Sequence, residues 1–274
     1  AFIAASGGGS VGQYGPLVHF GATMTEVLLK YIRIKIDRRV FIACGVAGAI
    51  SAGFNAPIAG VLFAHEALLR RISVGAIGPI AVTSIVAYAA NQAFFTLEPM
   101  FSLPDMPIEL QPLIPFLIFT AVFSALTSVA YMAAIRKGRE LATRSQWSMP
   151  KLLLSCVVVV GAIGVVVPDV AGLGLRQINQ MLDAQFGLGM LLVLLAGKIF
   201  VTAYCLNTGF FGGVFGPALF VGAATGAVVA HVAILLGLAP HLSYALPVAA
   251  IAAVGGAVIG APLTAIMIVI ELTG

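Results

Sequence analysis

Two Gly-Pro pairs carry the clearest chemical signal in the chain. Residues 15–22 read Gly-Pro-Leu-Val-His-Phe-Gly-Ala, and residues 216–223 read Gly-Pro-Ala-Leu-Phe-Val-Gly-Ala. Proline is favoured in the first turn of a helix, where its missing N–H costs nothing. The flanking glycines, Gly12 and Gly15 in one copy and Gly212, Gly213 and Gly216 in the other, let the backbone come close to a ligand. A helix N-terminus carries partial positive charge and unpaired N–H donors, so it attracts anions. One such start contributes only about 0.3–2 kcal/mol. Two aimed at one point would offset part of a halide's desolvation without a full positive charge. That suits a conduction site, which must admit an ion and also release it. The alternative is a pair of ordinary Gly/Pro kinks, which membrane helices tolerate.

The remaining reactive side chains are few. His19, one turn into the first Gly-Pro helix, is a possible proton acceptor, but a histidine bonded to a neighbouring carbonyl is the plainer expectation. His65 and Glu66 are adjacent, and adjacent helical residues do not converge on a metal. His231 and His241 have no partners at ligand spacing. Asn207 and Thr208 precede the second glycine-rich turn, where capping is the default role. Phe210, Phe211, Phe215 and Phe220 read as packing, although Phe215 lies inside the Gly-Pro motif. Cys44, Cys156 and Cys205 sit in apolar surroundings without metal or redox spacing, and small core residues are expected. No nucleophile–base set, phosphate loop or nucleic-acid motif is legible. Neither an enzyme nor a resident cofactor or metal is expected.

The elements that position the Gly-Pro pairs repeat. Forty-one positions after Pro16 comes Asn55-Ala56-Pro57-Ile58-Ala59, with Glu66 nine residues past Pro57. Forty-five positions after Pro217 comes Gly260-Ala261-Pro262-Leu263-Thr264, with Glu271 nine residues past Pro262. Between the landmarks, residues 30–39 carry five Lys/Arg, whereas 236–244 carry none. Basic loops mark the cytoplasmic side, so the two copies are expected to run in opposite directions. Inverted repeats place their site near the bilayer midplane, where broken helices meet. The expected division is 1–109, the end of a first repeat, and 110–274, a second repeat, within one membrane domain.

Composition sets the solvent. Of 274 residues 61% are hydrophobic and 9% charged, against about 25% charged in a soluble domain; mean hydropathy is +1.10. No Asp, Glu, Lys or Arg lies between Arg39 and Glu66, Arg71 and Glu98, Glu109 and Arg136, Lys151 and Asp169, or Lys198 and Glu271. A membrane span needs roughly 20 apolar residues, so the chain predicts an all-α, multi-pass integral protein of a plasma or inner membrane. The net charge of +4 resides in the loops 30–39, 70–71 and 136–151, expected inside, with the 97–110 loop outside. Trp147, beside Arg144 and Lys151, reads as an interfacial anchor. Helices are predicted over 16–32, 40–54, 57–71, 74–96, 111–138, 150–167, 173–183, 187–205, 216–236, 243–258 and 262–273. No signal peptide is visible.

Gly12-Gln13-Tyr14-Gly15-Pro16 resembles the G-[KR]-E-G-P motif of the CLC family of chloride channels and proton–chloride exchangers. Gly213-Val214-Phe215-Gly216-Pro217 resembles its G-x-F-x-P motif, and Gly53-Phe54-Asn55-Ala56-Pro57 through Glu66 resembles the segment between them. The resemblance implies an inverted-repeat helical fold with broken and re-entrant helices, a homodimer in the lipid bilayer, and chloride as the transported ion. It also implies that the segments Gly12, Gln13, Tyr14, Gly15 and Pro16, and Gly213, Val214, Phe215, Gly216 and Pro217, bind the anion through their backbone N–H groups, which every member but the two prolines carries. Two departures stand out. The family's gating glutamate falls at Tyr14, and its inner proton glutamate falls at Ala67. A tyrosine, with an ordinary pKa near 10, does not shuttle protons near neutrality. The expectation is therefore a passive, voltage-gated-type chloride channel. The alternatives are a proton-coupled antiporter with a non-standard relay such as Glu66 or His19, and a non-conducting membrane sensor or scaffold plugged by Tyr14. The family's early serine and late tyrosine of the inner anion site would precede Ala1 and follow Gly274, so an incomplete copy of the fold is expected.

Overall fold

The computed structural model describes residues 7–32, 37–95, 100–101 and 109–273. Among them no strand forms; helices succeed one another along the chain. They are α1 (Tyr14–Leu28), α2 (Arg38–Phe54), α3 (Pro57–Phe63, continued by a π-helical turn over Ala64–Leu69) and α4 (Val74–Phe94). Then come α5 (Leu110–Arg144), α6 (Met149–Val166), α7 (Leu175–Leu182), α8 (Leu188–Asn207), α9 (Phe215–Leu235), α10 (Ala245–Ile259) and α11 (Pro262–Thr273). Among the described residues, six stretches are long and apolar enough to cross a membrane: α4, α5, α6, α8, α9 and residues 240–259. The chain is an integral membrane protein.

Most predicted boundaries lie within two or three residues of those observed. The larger differences have local causes. Helix α1 ends at Leu28 rather than at residue 32, where the chain passes into turn bonds (Lys30 N to Val27 O, Tyr31 N to Leu28 O). It also begins two residues early, at Tyr14, so Pro16 occupies the third helical position, where an N–H would still lack an intrahelical partner. Helix α5 continues past residue 138 to Arg144. Its 35 residues extend about 50 Å at 1.5 Å per residue, well beyond a hydrocarbon core of about 30 Å. The exposed basic residues Arg136, Lys137, Arg139 and Arg144 occupy that overhang. The break expected after residue 54 falls at Asn55, which takes the left-handed conformation (φ 56°, ψ 35°) and caps α2, an arrangement that asparagine tolerates. Pro57 then opens α3.

The chain divides into two compact units, residues 1–13 with 103–258, and residues 14–102 with 259–274. In the first, α9 is the central helix, with most of its residues buried, whereas α6 fully buries Cys156 alone among its described residues. Small residues allow this, since a Cβ on Gly222 would stand 2.7 Å from the Cα of Ile251 on α10. Close backbone approach through small residues is the usual basis of helix packing in lipid. Tyr131 and Ile135 of α5, Ala203 of α8, Ala218 and Val221 of α9 and Val254 of α10 form one apolar cluster around it.

In the second unit Ala43, Cys44, Ala47, Ala64, Ala76 and Ile80 form the core of α2, α3 and α4. A chain of hydroxyls ties its interior: Ser51 Oγ donates to Ser84 O at 2.6 Å, and Ser84 Oγ donates to Pro57 O at 2.7 Å. Helices α3 and α11 are joined reciprocally. The Glu66 carboxylate accepts from Leu263 N (3.1 Å), Thr264 N (2.8 Å) and Thr264 Oγ1 (2.8 Å). The Glu271 carboxylate accepts from Ile58 N and Ala59 N, both at 2.8 Å. Each helix thus presents a carboxylate to the other's first turn, and the two run antiparallel.

Candidate anion site

The second Gly-Pro start lies wholly in the first unit. Val214 is the N-cap of α9, and Phe215, Gly216 and Pro217 form its first turn, all three buried. The segment before α1 is bonded to the segment before α9 by a two-way backbone bridge: Gly12 N donates to Gly213 O at 2.7 Å and Gly213 N donates to Gly12 O at 2.6 Å. This changes the part played by the two glycines. Their N–H groups are committed to each other, so they hold the segments together rather than offer donors to an ion. The bridge also explains why glycine stands at position 12. A Cβ there would meet Gly213 O at 2.8 Å and Gly216 N at 3.0 Å. The missing side chain is what lets the two backbone segments approach this closely.

Two further contacts steady this region, and neither was singled out from the sequence. Ser10 and Thr202, both fully buried, share a hydroxyl–hydroxyl hydrogen bond of 2.7 Å between the N-terminal segment and α8. Tyr131, fully buried, donates from its hydroxyl to Val214 O at 2.9 Å. Thr208 Oγ1 donates to Tyr204 O at 2.8 Å, and Asn207 Nδ2 donates to Ile135 O at 2.9 Å and Ala203 O at 2.7 Å. Both residues bond a carbonyl of their own helix four positions back, and Asn207 adds one of α5; neither caps the start of α9, whose N-cap is Val214.

A further residue could have been found by arithmetic. Lys198 is the sole Asp, Glu, Lys or Arg between Asp183 and Glu271, and it is fully buried in α8. Its ammonium donates to Val170 O at 3.0 Å and Gly172 O at 2.6 Å, and lies 4.6 Å from the centre of the Phe220 ring of α9. Cys156 and Cys205, read as unrelated core residues, are brought together with their sulfurs 3.8 Å apart.

The first Gly-Pro start joins the units along the chain: Gly12 and half-buried Gln13 belong to the first unit, and Tyr14, Gly15 and Pro16 to the second. Tyr14 opens α1 with its side chain turned inward, 4% exposed. Its ring stacks on Phe54 with centroids 3.6 Å apart, and its hydroxyl lies 3.9 Å from Met100 Sδ. Ala67 sits half-buried in the π-helical turn. Neighbouring Glu66 is engaged with α11, as described. His19 is exposed and makes no hydrogen bond among the described residues. The expected carbonyl bond is made instead by His65, to Val61 O at 2.9 Å, and by His231, to Ala227 O at 3.2 Å. Parts of the basic loop 30–39, at residues 33–36, and most of the 97–110 loop lie outside the described residues.

Comparison with known proteins sets this arrangement in a family. The voltage gated chloride channel family matches residues 1–274, and the chain belongs to it. Among curated relatives, the H(+)/Cl(-) exchange transporter ClcA of Vibrio cholerae is 32% identical over 99% of this chain and 60% of its own length. A protein named as a ClcB-like chloride channel, from Ralstonia nicotianae, is 29% identical over 97% of this chain and 63% of its own. The chain thus spans about three fifths of the length of these relatives. Among solved structures, a slow cyanobacterial Cl-/H+ antiporter shares the fold with a TM-score of 0.86 at 20% identity, over 99% of this chain and 65% of that one. A CLC-type fluoride/proton antiporter does so with a TM-score of 0.80 at 23% identity, over 97% of this chain and 66% of that one.

Proposed function

We propose that this chain carries part of a chloride pathway and that the pathway conducts passively, as a channel of the voltage-gated type. By the family resemblance, residues 12–16 and residues 213–217 would each offer backbone donors to a dehydrated anion. The partial positive charge and N–H donors of a helix start support that use of α9, whose first turn is buried. The observation that carries the passive reading is Tyr14. Where the family has a carboxyl that can take chloride's place and carry a proton, this chain has a buried aromatic ring packed on Phe54. At the inner position Ala67 carries no titratable group. The Glu66 carboxylate beside it already serves three donors, which argues against a relay there.

The test is flux in liposomes containing the full-length protein. A channel brings the membrane to the Nernst potential of the imposed chloride gradient and moves no protons. Proton uptake driven by that gradient would overturn the reading and favour coupled exchange, the activity named for several curated relatives. Introducing Tyr14→Glu is expected to impose pH-dependent gating on the chloride current. The burial of the Tyr14 ring supports a second reading, a closed gate. Under it the native protein carries no chloride, and Tyr14→Ala restores flux. By the same family relation we infer a homodimer in the bilayer, with the basic loops 30–39, 70–71 and 136–151 cytoplasmic.

A further inference from the structure

We infer that Tyr131 is a positioning residue for the anion-binding turn at the start of α9, acting through the carbonyl of Val214. The inference rests on the proposed use of that turn.

Tyr131 lies on α5, 83 residues before Val214 in sequence, and its hydroxyl donates to Val214 O at 2.9 Å. A trans peptide is planar, with its C=O and N–H pointing in opposite directions. Fixing the Val214 oxygen therefore fixes the tilt of the plane that begins α9, and with it the direction in which the donor edge of the first turn faces. The carbonyl does not need Tyr131 in order to be satisfied. It already accepts the helical bond from Ala218 N at 3.1 Å, and a carbonyl oxygen has a second lone pair to offer. The tyrosine bond occupies that second position from outside the helix, so it adds orientation where pairing was already complete.

The surroundings make the restraint stiff. Tyr131 is fully buried and packs with Ile135, Ala203, Ala218, Val221 and Val254, so the ring has little freedom to follow a displaced carbonyl. On the opposite flank, the Gly12–Gly213 bridge fixes the peptide one residue before Val214. The N-cap is thus held from two sides, by the α5 hydroxyl and by the N-terminal segment. A site built from backbone donors has no side chain to adjust, and its preference among anions depends on where those donors point.

The experiment compares Tyr131→Phe with Ile135→Val, which thins the same cluster without touching a hydrogen bond. Chloride affinity and the nitrate-to-chloride flux ratio are measured on the full-length protein in proteoliposomes, with thermal stability in detergent alongside. Tyr131→Phe is expected to weaken chloride binding about three- to tenfold, the range of one lost neutral hydrogen bond, and to shift the flux ratio. Ile135→Val is expected to lower stability and leave both ion readouts within twofold. If Tyr131→Phe changes only stability, or if Ile135→Val moves the ion readouts equally, Tyr131 is a packing residue and the inference fails while the anion site stands. If the unmodified protein neither binds nor passes chloride, the proposed site fails and takes the inference with it.

Discussion

Glu66 and Glu271 show how much one side chain can settle. A carboxylate at a helix N-terminus faces unpaired N–H groups and the positive end of the macrodipole. In this chain the starts of α3 and α11, each opened by a proline, are filled by the protein's own acids. The acids come from the same helices that receive them. Replacing Glu66 by Gln keeps the shape but removes the charge. We expect a loss of about 1–2 kcal/mol, the scale of a lost cap, read as a lower melting temperature in detergent. Glu271→Gln should behave alike. The double variant should depart from additivity by about 0.5 kcal/mol or more, because contacting elements couple. Proton coupling should not change in either case, and a change would return Glu66 to the list of relays. The matched spacing of these glutamates was plain in the sequence. Their partners were not, because a nine-residue interval within one helix says nothing about which other helix start lies beside it.

At the scale of elements, sequence periodicity and charge gaps located the helices well, since lipid enforces long apolar runs and prolines mark where they open. The linking contacts escaped. Nothing in Gly12 and Gly213 announces that they bond to each other across 200 residues, and Tyr131 looks like any aromatic residue in an apolar helix. The family resemblance places these glycines in the anion-binding segments; in the structure each one's N–H donates to the other's carbonyl. The Gly12 bridge gives a direct test. Gly12→Ala would place a methyl group 2.8 Å from Gly213 O and 3.0 Å from Gly216 N, both backbone atoms that cannot swing aside. Overpacking of this kind costs about 1–3 kcal/mol. We expect lower thermal stability together with a fall in chloride flux of at least tenfold. Normal flux in a stable Gly12→Ala protein would show that the pathway does not depend on the close Gly12–Gly213 bridge.

For the molecule as a whole, the repeat read from two Gly-Pro pairs leads to a family membership that the chain-wide match establishes. Its orientation in the bilayer is a separate matter, and loop charge supplies the expectation. Single cysteines in place of Arg70 and Arg139 should be labelled by an impermeant thiol reagent from one side. Cysteines in place of Glu109 and His241 should be labelled from the other. The native Cys44, Cys156 and Cys205 are buried and should give little background. Labelling of Arg139→Cys and His241→Cys from the same side would contradict the inverted arrangement. The reciprocal glutamates carry one more consequence for the molecule. From proline to glutamate each of α3 and α11 runs nine residues, about 13 Å of rise. Each carboxylate reaches its target only while that interval is kept. One residue added between Pro262 and Glu271 would swing Glu271 about 100° around its helix and uncover the start of α3. The pair therefore works as a gauge, in which each helix certifies its own length by whether its neighbour remains capped.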